Sequence, residues 1–179
     1  MGKFVVILLL LSALLGGAGL WYTATYAYWS EVEGRVTLTL AEGDQLTALP
    51  AENVQAISST SSPLGFRACF DHGLDLAAIP ATLPAEARPM AAPTVAPGWF
   101  DCFDAVAIGA LLSDAQAQAF TAYPNVQYGV DRIVALTPDG RGWAWHELND
   151  CGHKAYDGTP VGEACPSRET FTPLTEGSL

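Results

Sequence analysis

The feature that most constrains this chain is a run near its amino-terminal end, Phe4 to Ser30, without a single Asp, Glu, Lys or Arg. As a helix, roughly 27 such residues reach about 40 Å, which exceeds the ~30 Å hydrocarbon layer of a bilayer. Phe4 to Leu15 is the most apolar part and would supply the insertion energy. Trp21, Tyr22, Tyr26, Tyr28 and Trp29 crowd the far end, where amphipathic rings settle at the lipid–water boundary. Lys3 marks the near end as cytoplasmic, and Glu31 and Glu33 lie beyond the far one. The expectation is a single-pass anchor over residues 1–30, touching lipid through residues 4–29, with residues 31–179 exported. A cleaved signal peptide has the same polarity, with Gly16-Gly17-Ala18 as its cleavage site. The uncharged stretch runs well past that site, and aromatic rings would serve nothing in a discarded peptide, so retention is expected. No cysteine lies near the segment, which argues against a lipoprotein. Ser12 and Gly16, and Ala13 and Gly17, are spaced by four along one helical face. Small residues so placed let a second membrane helix approach closely.

Lys3 is the only charged side chain before Glu31, so the rest of the chain is one unit more negative than the −11 of the whole. Such a surface repels phosphate backbones and anionic lipid, and no Lys/Arg cluster offsets it. Nucleic acid is therefore not an expected partner. A basic partner or a cation is compatible with the charge, and solubility alone would also explain it.

Beyond the anchor, Arg35 to Leu40 alternates Val36, Leu38 and Leu40 with threonines, the pattern of a strand with one buried face. Ala41-Glu42-Gly43-Asp44 reads as the turn that ends it. Asn53 to Thr60 is either strand or short helix, Ser58 to Ser62 a loop, and Phe66 to Phe70 a short strand carrying Cys69. Five prolines between Pro80 and Pro97 exclude helix and central strand, so residues 80–98 read as an extended surface loop. Asp104 is placed to cap a helix over Ala105 to Leu112. Ser113-Asp114 breaks it, and Ala115 to Thr121 is a second helical turn or a strand. Asp131 to Thr137 and Gly142 to Leu148 read as a hairpin closed by Pro138-Asp139-Gly140-Arg141. Trp143 and Trp145 would share one face of its second strand and His146 the other. The fold class expected is α+β: one domain with a mainly antiparallel sheet and one principal helix, stapled by disulfides.

Cys69, Cys102, Cys151 and Cys165 all lie on the exported side. An even count in an oxidising compartment argues for two disulfides. Of the three possible pairings, Cys69–Cys102 with Cys151–Cys165 is favoured, because the first would tie together the ends of the proline loop. The competing chemistry is a metal. Cys69 and His72 have C-x-x-H spacing, and Cys151 and His153 place a second thiol and imidazole together. These spacings are not those of a standard finger pair, and export favours oxidised sulfur, so no metal is expected. No cofactor is expected either. C-x-x-C, a Gly-rich phosphate loop, a nucleophile elbow and a paired-histidine metalloprotease motif are all missing from the sequence. His146-Glu147 fails as an acid–base dyad, since neighbours on a strand point to opposite faces.

Several stretches carry a resemblance: Met1-Gly2-Lys3, Phe66-Arg67-Ala68-Cys69-Phe70, Trp99-Phe100-Asp101-Cys102-Phe103-Asp104, Tyr128-Gly129-Val130-Asp131-Arg132 and the Pro138 to Gly142 turn. The chain resembles, over nearly its whole length, a family of short alphaproteobacterial proteins classed as a domain of unknown function. The resemblance implies an envelope protein of a Gram-negative bacterium, and taken with the anchor the expected place is the inner membrane, with the carboxyl-terminal domain in the periplasm. It implies no activity and no catalytic residue.

The function expected is non-enzymatic: an anchored accessory or structural protein that docks on, or helps assemble, a larger membrane complex. Its partner would be an integral membrane protein, met through the Ser12/Ala13/Gly16/Gly17 face or through Trp99, Phe100 and Phe103 or the Trp143/Trp145 strand, if these are exposed. A periplasmic module that binds or senses a metal ion or small ligand is the alternative.

Overall fold

The computed structural model describes residues 2–43, 45–77, 79, 85–162 and 165–174. Helix α1 spans Gly2–Tyr22 and continues as one π-helical turn over Thr23–Ala27. None of its side chains is buried, and it is long and apolar enough to cross a membrane. Two of its hydroxyls are satisfied within it. Ser12 donates to the Leu9 carbonyl, and Thr23 to those of Gly19 and Leu20. A helix in lipid requires such internal satisfaction.

Tyr28 turns the chain into β1, Trp29–Glu31. Strands β2 (Thr39–Glu42) and β3 (Gln45–Ala48) form a separate two-stranded hairpin. The main sheet adds β4 (Ala51–Ser59), β5 (Phe66–His72), β6 (Gln118–Gln127), β7 (Val130–Leu136) and β8 (Arg141–Leu148). Its order is β1-β4-β5-β8-β7-β6, and every pairing is antiparallel. Helix α2 spans Ala105–Ser113. Asp104 starts it by accepting from the backbone N–H groups of Val106 and Ala107, at 2.9 and 3.1 Å. The domain is α+β, as the sequence indicates.

Both faces of the sheet are covered, and β7 is buried along its whole length. One face packs Phe66, Phe70, Phe120, Val134 and Leu136 against Leu38, Leu40 and Leu49 of the β2–β3 hairpin region. The other packs Ile57, Ile133, Trp143 and Trp145 against Ile108 of α2 and against Phe100 and Phe103 of the segment before it. Burial of that much apolar surface, at about 25 cal/mol per Å², supplies most of the driving force.

Local differences from the sequence reading have a common cause. Leu38 and Leu40 do point into the core, yet the ladder begins only at Thr39 and continues through Glu42. Alternation fixes which side chains face inward; ladder length is fixed by the partner, and β3 is only four residues long. Ala41 and Glu42 are therefore strand, Gly43 takes the positive-φ turn position, and Asp44 lies outside the described residues. Ser58 and Ser59 remain in β4, where they pair with Ser30 and Trp29, and the turn starts at Thr60. Asn53 to Ser59 is strand, and the segment after α2 becomes strand from Gln118. Of the proline loop, Pro80 and Pro84 lie outside the described residues. Residues 85–98 hold one isolated bridge, Ala87 to Phe120, and otherwise no helix or strand.

Candidate docking site at the anchor–domain junction

Where α1 meets the sheet, the chain is fastened at several points within a few residues. Trp99 Nε1–H donates to the carbonyl of Thr25 at 2.7 Å, and its ring lies nearly parallel to that of Tyr26, centroids 6.4 Å apart. The Tyr28 carbonyl accepts from Thr60 N–H at 3.0 Å, and Trp29 pairs with Ser59. Trp99 is itself held from below. Its segment turns through a Phe100 N–H to Pro97 carbonyl bond of 2.9 Å, and the Cys102–Cys69 disulfide bolts that segment to β5.

Arg67 on β5 completes the junction from inside. It is buried, and its guanidinium donates to the carbonyls of Leu64, Phe66, Thr94 and Val95 while lying 5.8 Å from the ring centroids of both Trp29 and Phe103. Burial lowers its pKa to about 10, so it stays charged at neutral pH. One cation thus joins the proline-rich segment, the turn after β4 and the first strand after the anchor. Beside Trp99 lies a hollow of about 490 Å³, lined by Glu31, Val32, Gln55, Trp99, Asp101 and Cys102 among others.

Of the side chains expected to dock, Trp99 is half-buried and borders this hollow, whereas Phe100 and Phe103 are core residues. Phe103 is 5% exposed and packs edge-on to Trp145, centroids 6.3 Å apart. Trp143 and Trp145 are buried too, with indole N–H groups donating to the Cys102 carbonyl and to Glu147. Aromatic residues on the inward face of a central strand pack the core and are closed to a partner. Ser12, Ala13, Gly16 and Gly17 all lie exposed on α1.

The cysteines form Cys69–Cys102 and Cys151–Cys165, with Cα atoms 6.2 and 5.5 Å apart. Cys69 and His72 are an odd number of residues apart on one strand and so face opposite sides of the sheet. His72 is buried, its Nδ1 accepts from Leu74 N–H at 3.2 Å, and burial lowers its pKa. His153 is exposed. Among the described residues, no three His, Cys, Asp or Glu side chains are grouped to hold a metal ion.

Two polar clusters escaped sequence reasoning. Arg132 on β7 is 2% exposed, stacks over the ring of Phe66 at 3.9 Å, and donates to the Thr37 carbonyl at 2.6 Å and to His146 on β8. On the other face, Asp131 accepts from Asn125 N–H and Asn149 Nδ2 at 2.9 and 2.6 Å, with Arg88 at 3.4 Å. Glu147 lies 3.9 Å from the same arginine and accepts from Ala92 N–H at 2.7 Å. These groups open on a hollow of about 720 Å³ that also reaches His153 and Cys151. The only sequence signal was charge inside strand patterns, at Arg67, Asp131 and Arg132, where a half-buried strand carries its polar residues outward.

Comparison with curated proteins and with solved structures finds no match for this chain. A family model does match, over residues 36–166, which takes in every strand from β2 onward, both disulfides and the Trp99 segment. With well over half of its length matched, the chain belongs to this family of unknown function, DUF6446.

Proposed function

We propose that this protein is a non-enzymatic accessory subunit of a membrane complex, held by α1 in the inner membrane of an alphaproteobacterium with its domain in the periplasm. The observation that carries this reading is the junction. A domain meant only to be tethered needs a flexible linker, whereas here Thr25, Tyr26, Tyr28 and Trp29 are each fastened to the domain within five residues of chain. Such an arrangement fixes the position of the domain relative to its helix, which serves docking against a neighbour that is also in the membrane. The exposed Ser12/Gly16 and Ala13/Gly17 face gives that neighbour a close approach within the bilayer. The two disulfides suit an oxidising compartment.

The test is purification of the full chain in mild detergent from its native host, beside a chain with Gly16 and Gly17 replaced by leucine. The expected result is a membrane protein in stoichiometric amount with the first chain and less of it with the second. Recovery of the first chain alone, under conditions that keep other complexes intact, would rule the reading out. A ligand-binding role is the second reading, supported by the hollow that Arg88, Asp131, Glu147 and His153 border. A shift in melting temperature with a divalent cation or a small amine would favour it.

A further inference from the structure

The main sheet has an edge that β1 covers only in part. β1 pairs with the last three residues of β4, Ile57 to Ser59, and one more bond follows, from Val32 N–H to the Ala56 carbonyl at 2.9 Å. The next outward-facing position along β4 is Val54, and among the described residues no strand lies beside it. Asn53 and Val54 also fall out of register with β5, in a bulge where Asn53 has φ +51 and its side chain donates to Asp71 at 2.7 Å. Glu52 through Gln55 are all exposed. The opposite edge of the sheet is different. There β6 is lined by Glu86 to Arg88, through Thr121 N–H to the Glu86 carbonyl and Arg88 N–H to the Ala119 carbonyl.

Val54 stands between two hollows. On the α2 face lies the 490 Å³ hollow with Glu31, Trp99 and Asp101. On the hairpin face lies one of about 450 Å³, bordered by Val32, Val36, Leu38, Leu49 and Val54. A strand added to a sheet edge sends alternate side chains to opposite faces, and such recognition draws affinity from main-chain bonds and specificity from pockets on each side. Here one pocket is acidic with an indole, and the other is mainly aliphatic, with Arg35, Thr37 and Thr39 also on its border.

We infer that the Val54 edge of β4 receives an extended segment of a partner protein, alternating basic and aliphatic residues. The basic side chains enter between Glu31 and Asp101 beside Trp99, and the aliphatic ones fill the Val36/Leu38/Leu49 hollow. Charge complementarity selects this occupant, since a Lys or Arg over an indole and between two carboxylates is favoured. A second copy of this chain is disfavoured, because it would bring its own Glu31, Glu52 and Asp101 to a site already lined with acids. The inference deepens the accessory reading and rests on it for the source of the segment. The hollow adjoins Trp99, which holds the end of α1, so the segment would come from a region of the partner near the membrane surface.

The probe is a nine-residue peptide alternating lysine and valine, titrated into the full chain in neutral-detergent micelles. One-to-one saturable binding is expected, weakened at least tenfold by Val54→Pro and at least fivefold by Asp101→Lys. If Val54→Pro loses its near-ultraviolet circular dichroism, Val54→Lys, which places a charge on the same edge, takes its place. Methylating the backbone amides that face β4 should abolish binding, while methylating the alternate set should not. Equal binding of a glutamate–valine peptide, or indifference to both methylation patterns, would overturn the inference. The two proposals separate cleanly. A membrane partner that still copurifies with folded Val54→Pro removes this edge and leaves the accessory role standing. Peptide binding without any copurifying partner supports the edge and removes that role.

Discussion

Arg132 and His146 face each other across the β7–β8 ladder as a buried cation and a neutral imidazole, with Nε and Nη2 of the arginine each 3.2 Å from Nε2 of the histidine. The other ring nitrogen, Nδ1, lies 2.7 Å from the Pro63 carbonyl. A carbonyl only accepts, so Nδ1 holds the proton and Nε2 offers its lone pair to the guanidinium. The Phe66 ring packs against both, its centroid 4.7 Å from that of His146 and 3.9 Å from Arg132 Cζ.

That arrangement predicts how the fold responds to acid. Burial first, and the Arg132 charge second, hold the His146 pKa down to about 3, against 6.5 in an unfolded chain. Between those values the unfolded chain takes up a proton that the folded one refuses. Stability is therefore complete above about pH 6.5 and falls as pH drops toward 3, by about 1.4 kcal/mol per unit at most. Urea unfolding at pH 7, 5 and 4 should show a shallower decline for His146→Gln than for the parent chain. Parallel declines would refute the assignment.

Arg67→Lys should free the proline-rich segment. One ammonium cannot reach the Leu64, Thr94 and Val95 carbonyls together as the planar guanidinium does. A loss of about 1–3 kcal/mol is expected, since several part-buried carbonyls would lose a charged donor. Limited proteolysis should show new cleavage between Ala91 and Val95; a segment as resistant as in the parent chain would contradict this account.

Replacing Trp99 probes the junction, and Phe at that position also keeps a ring beside Phe100, whose centroid lies 6.2 Å from that of Trp99. Trp99→Phe removes the bond to Thr25 but keeps a ring against Tyr26, at a cost of about 1 kcal/mol. Trp99→Ala removes the stacking as well, about 0.5–1.5 kcal/mol more. Hydrogen exchange over residues 23–31, measured in a bilayer nanodisc, should quicken in that order while the exchange of β7 stays unchanged. Unaltered exchange in Trp99→Ala would mean that the other fastenings suffice.

Gly129 and Gly152 sit back to back, and a Cβ on Gly152 would come within 2.2 Å of the Gly129 carbonyl oxygen. Gly152→Ala must push the Cys151 loop off the end of the sheet, costing about 1–3 kcal/mol. The Cys151–Cys165 bond should then be reduced faster by dithiothreitol. Gly98→Ala, with open space around it, serves as the control and should change neither quantity.

Much of the fold was legible in the sequence because its signals are local. Asp104 announces its helix, Pro138 to Gly140 announces its hairpin, and the run from Phe4 to Ser30 announces its apolar helix. What could not be read depends on distant partners. Arg67 looks like an outward strand residue until the Thr94 and Val95 carbonyls arrive from about thirty residues away. Trp143 and Trp145 share a face, as alternation indicates, but only the presence of α2 and Phe103 makes that face interior. The open stretch of β4 is a property of what does not pair with it, and periodicity carries no trace of that.

Because Tyr26 leans on Trp99 and the chain enters the sheet at Trp29, the amino-terminal helix has no swivel where it meets the domain. Rolling that helix by one side chain, about 100°, would sweep the whole sheet around the same axis. The compass bearing of Val54 is thus decided by whichever flank of the helix a neighbour grips, as a weathervane follows its spindle.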